Sequence, residues 1–189
     1  PSSSVIDAVW AIEKVEIPAG STSATVTVTV TGDVDGINSY ILDMAQEAGP
    51  VMSDAVKGGA YDALDFIFNA DGLKFGASNY TIGENVVAED GSIVFTMTFD
   101  FPADVFPEGA PAGEQYDLTF ESLLLYNVEM VQLIPKTEDG YIKVLDVETT
   151  TTTEAVATWT IGNKTVTKGS AEAAAVEIPI TVTGDTVKA

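Results

Sequence analysis

The stretch Trp10-Ala11-Ile12-Glu13, followed by Gly20 and then Ala24-Thr25-Val26-Thr27-Val28-Thr29-Val30-Thr31-Gly32-Asp33, decides the fold. Val26, Val28 and Val30 fall on one side of an extended chain, and Thr25, Thr27, Thr29 and Thr31 on the other. That period of two is expected of a strand in a sheet buried on one side only. The stretch returns near the end of the chain as Trp159-Thr160-Ile161-Gly162, Gly169 and Ile178-Pro179-Ile180-Thr181-Val182-Thr183-Gly184-Asp185. Trp and Gly are ten residues apart in both copies. From that Gly to the central glycine of Thr-Gly-Asp is twelve residues in the first copy and fifteen in the second, a single three-residue indel. A period of roughly 150 residues is too long for a solenoid unit and suits a whole domain. The sequence therefore predicts a complete module over 1–148, a threonine-rich linker over 149–155, and the first two strands of an incomplete following repeat over 156–189.

Composition narrows the chemistry. Of 189 residues 46% are apolar, enough for a core, while 29 acids against 8 bases give a formal charge of −21. All the bases are lysine; arginine, histidine and cysteine do not occur. There is thus no thiolate nucleophile, no imidazole base and no zinc site of the usual kind. A field this negative, without an arginine fork, disfavours phosphate backbones. No apolar run reaches the about eighteen residues of a membrane span. Pro1-Ser2-Ser3-Ser4 reads as linker.

Working outward, alternation predicts strands over Val9–Ile17, Ala24–Thr31 and Ile37–Gln46. From Pro50 to Gly72 the spacing of Tyr61, Leu64 and Phe68 predicts one short amphipathic helix that stops at Gly72. Asn85–Glu89 and Ser92–Phe101 read as a hairpin about Asp90-Gly91. In the second of these Ile93, Phe95, Met97 and Phe99 take one face, and Val94, Thr96 and Thr98 the other. Tyr116–Leu125, Val128–Ile134 and Tyr141–Val147 complete eight or nine antiparallel strands, the last two separated by Asp139-Gly140. The expected fold is an all-β, two-sheet sandwich or jelly roll with one short helical insert. The run Thr149–Thr153 reads as linker and a candidate for O-glycosylation, or alternatively as a terminal strand.

Neither catalysis nor metal binding finds support. A glycosidase needs two carboxyls roughly 5 to 9 Å apart in a sugar-binding cleft. The only tryptophans are the two repeat-equivalent ones, which read as core. Asp33-Val34-Asp35-Gly36 and Asn69-Ala70-Asp71-Gly72 each place two ligand types before a glycine, but neither extends to a full calcium loop, so both read as turns. What remains is uncharged strips on outward faces, Val94, Thr96 and Thr98 in one strand, Ser39 and Ile41 in another. On a surface this acidic, sparing of charge points to a protein-binding patch.

The order of these motifs resembles that of cohesin modules from bacterial cellulosomal scaffoldins. The resemblance rests on the Trp-x-Ile…Gly…Ile-Pro-Ile-Thr-Val-Thr-Gly-Asp run, clearest at Trp159 to Asp185. It also rests on Gly36-Ile37-Asn38-Ser39-Tyr40, Gly91-Ser92-Ile93-Val94-Phe95, and Phe101-Pro102-Ala103-Asp104 leading through Gly113 to Tyr116-Asp117-Leu118. It covers most of residues 8–147, and the insert before the hairpin is more like divergent, ruminococcal-type cohesins. The resemblance implies a nine-stranded jelly roll that is no enzyme. It implies a secreted, extracellular scaffold module that lays an apolar patch against a helix of a dockerin. A dockerin is a small helical module with two calcium loops, so calcium sits in that partner and no cofactor is implied here. In the family the docking face is the sheet of strands eight, three, six and five. Carried over, this selects Ser39, Ile41 and Asp43, then Asn85 and Val87, then Val94, Thr96 and Thr98, with Met130 and Gln132 for strand eight. A monomer is expected. Two alternatives stay open: a self-associating surface protein in which 156–189 adds strands to a neighbour's sheet, and a carbohydrate-binding module.

Overall fold

The computed structural model describes residues 2–46, 48–79, 81, 83–146, 158–161 and 180–183. The chain divides into two compact units, Pro1–Val147 and Glu148–Ala189. The first holds eleven strand segments: β1 (Ser3–Ile12), β2 (Lys14–Ile17), β3 (Ser23–Thr31), β4 (Ser39–Gln46), β5 (Val51–Lys57), β6 (Asp65–Asn69), β7 (Lys74–Ser78), β8 (Ser92–Asp100), β9 (Gln115–Tyr126), β10 (Gln132–Glu138) and β11 (Gly140–Val144). They pair in the order β5-β8-β3-β1-β10-β9-β4-β7-β6, and β11 pairs with both β2 and β9. β1 and β2 are one strand interrupted at Glu13, and β10 and β11 one strand interrupted at Asp139. Counted that way, the eleven segments make the nine strands of a jelly roll.

The two interruptions are partners. β1 runs parallel to β10 and β2 parallel to β11. At the break each strand passes from one layer of the sandwich to the other, so the layers share an edge instead of ending there. A Cβ on Gly140 would run into the Glu13 carbonyl oxygen and the Ile12 side chain, so this crossing requires glycine. Asp139 Oδ1 accepts from Phe120 N–H (2.9 Å), holding the break in place.

Between the layers lies an alternating core. β3 contributes Ala24, Val26, Val28 and Val30; β8 Phe95, Met97 and Phe99; β4 Tyr40, Leu42 and Met44; β9 Leu118 and Leu125, all buried. Rings meet across it, Phe75 stacking on Phe95 at 4.4 Å between centroids and Trp10 lying edge-on to Tyr40 at 5.2 Å. Asp33, of the repeated Thr-Gly-Asp, is buried but satisfied. It accepts from Tyr61 Oη (2.9 Å), Ala88 N–H (3.0 Å) and Gly36 N–H (3.1 Å). Burial first, and the Asp33 carboxylate second, push the Tyr61 phenol well above its usual range; burial raises Tyr40 as well.

Several expectations need correction. Residues 50–72 form no α-helix: β5 and β6 occupy the stretch, followed by one 3-10 turn at Ala70–Gly72. Tyr61 and Leu64 are buried within the connecting turn, and Tyr61 stacks on Trp10. The run Phe66-Ile67-Phe68 obscures the strand because apolar side chains occupy both of its faces. Asn85–Glu89 pairs only through a bridge from Val86 to Ile37, so Asp90-Gly91 does not close a hairpin. That turn instead docks on the end of β3, where Gly32 N–H donates to Asp90 Oδ1 (2.6 Å) and Gly91 N–H to the Val30 carbonyl (2.9 Å). Ser3 and Ser4, read as linker, belong to β1 and pair with Gln132 and Leu133. Val128–Met130 is a turn, and the strand starts at Gln132.

In the second unit β12 (Thr158–Ile161) and β13 (Ile180–Thr183) pair antiparallel, with Trp159 opposite Val182 and Ile161 opposite Ile180. In the first unit Trp10 sits opposite Val30 and Ile12 opposite Val28. Measured from each Trp and each Thr-Gly-Asp, the register is the same, so the three-residue indel falls in the connection and leaves the pairing intact. The linker expected over 149–155 lies outside the described residues, as does most of 156–189.

Candidate functional site

The layer β9-β4-β7-β6 turns an outer face to solvent, and its pairing arranges that face in rows. Ile67, Gly76, Ile41 and Leu124 stand side by side across the four strands. On one flank the row is Asp65, Ser78, Ser39 and Tyr126; on the other it is Asn69, Lys74, Asp43 and Ser122. The central row is apolar and open, with Ile41 53% and Ile67 72% exposed. An isoleucine at these positions cannot reach the core, because pleating sends Tyr40 and Leu42 there instead.

Gly76 makes the face concave. Without a side chain it leaves bare backbone between Ile41 and Ile67, and a hollow opens on each side of the row. One, of about 480 Å³, is bordered by Ser39, Asp65, Ser78, Asn79 and Thr81. The other, of about 430 Å³, is bordered by Asp43, Phe68, Asn69 and Lys74. Lys74 Nζ lies 3.4 Å from Asp43 Oδ1, and Ser122 Oγ donates to Asp43 Oδ2 at 3.3 Å. The only cation of the three rows is thus already paired. Among the described residues Asp65 has no ion-pair partner, and no group of three or more acidic side chains gathers that could hold a metal ion. The arrangement offers apolar contact, hydroxyl groups and one free carboxylate, which suits recognition of a surface rather than bond making.

Of the residues expected from the sequence, Ser39, Ile41 and Asp43 lie together on this face. Of the others only Gln132 adjoins them. Asn85 and Val87 lie outside any strand, where Asn85 Nδ2 donates to the Asp35 carbonyl and its Oδ1 accepts from Val128 N–H. Thr96 and Thr98 belong to β8, on the outer face of the opposite layer, opposite Thr27 and Thr25 of β3. Val94, expected to point outward, is buried at 2% exposure while Ile93 is at the surface. A bulge explains this: pairing with β3 skips a residue between Phe95 and Ile93, so alternation slips by one. Met130 sits in a turn with φ of 60°, off the face, whereas Gln132 opens β10 opposite Tyr126 and so extends the flank row of Asp65, Ser78, Ser39 and Tyr126 by one strand.

The missed residues are Ile67, Lys74, Gly76, Ser122 and Leu124. The cause lies before residue 90. The sequence pattern predicts a helix over 50–72 where β5 and β6 run, no strand at Lys74–Ser78 where β7 runs, and a strand at Asn85–Glu89 where only a bridge forms. On that count β8 takes the place of strand six and β10 that of strand eight. Recounted, strands eight, three, six and five are β9, β4, β7 and β6, which lie contiguous in the sheet. The alternation of Asp65, Ile67 and Asn69 against Phe66 and Phe68 was the available signal.

This nine-stranded jelly roll recurs among solved structures. The chain has the fold of cohesin modules. A cohesin from Clostridium thermocellum (Coh-OlpC), solved in complex with the dockerin Doc435, matches at TM-score 0.62 and 15% identity over 78% of this chain and 98% of that one. The third ScaB cohesin of R. flavefaciens, in complex with a group 1 dockerin, matches at 0.58 and 19%, covering 76% and 98%. A non-cellulosomal cohesin from the archaeon Archaeoglobus fulgidus matches at 0.59 and 17%, covering 75% and 94%. No family model matches the sequence, and no curated protein matches it either.

Proposed function

We propose that residues 1–148 are a non-catalytic docking module that binds a dockerin-bearing partner and belongs to an extracellular, cellulosome-type scaffold. The observation that carries this is the uncharged row Ile67-Gly76-Ile41-Leu124, its two isoleucines exposed, on a chain of net charge −21. Solved relatives of the same fold in complex with dockerins support it. Ser39, Ile41 and Asp43 keep their proposed role, now alongside Ile67, Lys74, Gly76, Ser122 and Leu124. The strands are set by the core before any partner arrives, so binding orders little backbone, and the negative field speeds the approach of a lysine- or arginine-bearing helix. Calcium belongs to the partner in this reading, and the module itself carries no cofactor. The matching register of β12 with β13 supports 156–189 as the opening of a further module.

The test is isothermal titration of the full chain with dockerins in calcium, repeated with chelator and with Ile41→Asp. Binding that needs calcium and disappears in the variant is the expected result. Binding indifferent to Ile41→Asp would remove this face from the proposal. Likeness to the non-cellulosomal archaeal cohesin favours a second reading, the same docking chemistry outside a cellulosome. Identifying the domain attached to the partner's dockerin separates the two.

A further inference from the structure

The two ends of the docking face differ in charge, and the geometry points to a specificity rule that rests on the docking reading above: Asp65 selects a lysine or arginine on the bound helix and thereby fixes which way that helix lies. The Asp43–Lys74 pair closes one end as a neutral unit, with Lys74 Nζ 3.4 Å from the carboxylate. At the other end Asp65 is exposed on the edge strand β6, and no described lysine pairs with it. Around it are Ser39, Ser78, Asn79 and Thr81, bordering the 480 Å³ hollow. These groups can accept further hydrogen bonds from an ammonium or guanidinium but cannot neutralise Asp65.

The rows of Asp65 and of Asp43–Lys74 are four residues apart along the strands, about 13 Å. A helix laid along them spans that distance in about nine residues. Positions i, i+4 and i+8 then fall on one face, over the Asp65 hollow, the Gly76 gap and the Lys74 end respectively. The fitting pattern is a cation at i, an apolar side chain at i+4 long enough to fill the space Gly76 leaves between Ile41 and Ile67, and a neutral or acidic residue at i+8. A helix of opposite order must lie the other way round. One that is acidic at both ends meets Asp65 with like charge, inside a field that is already negative.

The experiment is selection from a yeast-displayed library built on the dockerin of the C. thermocellum complex, its docking helix randomised at three positions four apart and panned in calcium. The baits are the full chain, the chain with Asp65→Lys, and the chain with Ile41→Asp. The expected outcome is enrichment of Lys or Arg at one end position by the native chain, and of Asp or Glu at that position by Asp65→Lys, with the central apolar preference unchanged. Clones from the native chain should bind Asp65→Asn about three- to tenfold more weakly, mostly through a slower on-rate that salt suppresses. Clones lost with Ile41→Asp but showing no charge preference, or the same one with Asp65→Lys, would overturn the specificity rule and leave the docking face standing. A library yielding no binder, or binders indifferent to Ile41→Asp, would overturn the docking reading itself. Equal melting temperatures of the three baits exclude misfolding as the cause.

Discussion

The two outer faces of the sandwich are built alike yet offer different things. On the β3–β8–β5 side the rows run Thr27, Thr96, Val56 and Thr25, Thr98, Asp54, so almost every row carries a hydroxyl. Thr27 also donates through Oγ1 to Glu13 Oε2 (2.8 Å), which brings a carboxylate onto that surface. On the β4–β7 side the middle row is Ile67, Gly76, Ile41 and Leu124, with no hydroxyl and a gap in its centre. Both faces are poor in charge and both obey the alternation of two, so sparing of charge alone does not separate them. Shape does: on the β4–β7 side two large knobs flank an empty place, whereas the rows on the β3–β8–β5 side have no such gap.

Substitutions can break this contrast. Ile41→Asp should cost dockerin affinity about a hundredfold or more, by putting a charge in the desolvated middle of the contact, whereas Thr96→Asp should leave Kd unchanged by calorimetry. Equal losses from the two would erase the distinction between the faces. Gly76→Val comes next. A Cβ there would stand 3.4 Å from the Tyr40 carbonyl oxygen and 3.8 Å from Ile67 Cγ1, so folding should survive. The filled gap should weaken binding about tenfold, with an unchanged circular dichroism melt.

Two further outcomes concern the frame that holds both faces. Tyr61→Phe removes a donor from buried Asp33 and should lower unfolding free energy by about 1–3 kcal/mol in a urea titration. The folded state raises the Tyr61 and Tyr40 phenols, so their contribution is complete below the ordinary tyrosine pKa of about 10 and is lost as pH rises above it. Urea midpoints should therefore hold level up to about pH 10 and then fall, less steeply in Tyr61→Phe. Smallest of all, Lys74→Ala should change stability by under about 1 kcal/mol, because Lys74 is 60% exposed and its pair with Asp43 is screened by water.

Legibility in the sequence followed the range of the interactions. β3 was plain because Val26, Val28 and Val30 state their burial within a few residues, and Leu118 declared β9 in the same way. The docking face was half legible: Ser39, Ile41 and Asp43 follow from alternation within β4. Ile67 did not, since Phe66 and Phe68 make β6 apolar on both sides, and Gly76 carries no side chain to alternate. Alternation alone puts Val94 on the wrong face, because a bulge depends on the neighbouring strand and leaves no mark on its own. The breaks at Glu13 and Asp139 are meaningful only against each other, more than a hundred residues apart.

Those breaks have a mechanical consequence. The ribbon from Ser3 to Ile17 lies alongside the ribbon from Gln132 to Val144, pointing the same way. Tension entering at Ser3 and leaving at Val144 therefore slides one ribbon along the other and loads all their rungs together, where an antiparallel closure would unzip them singly.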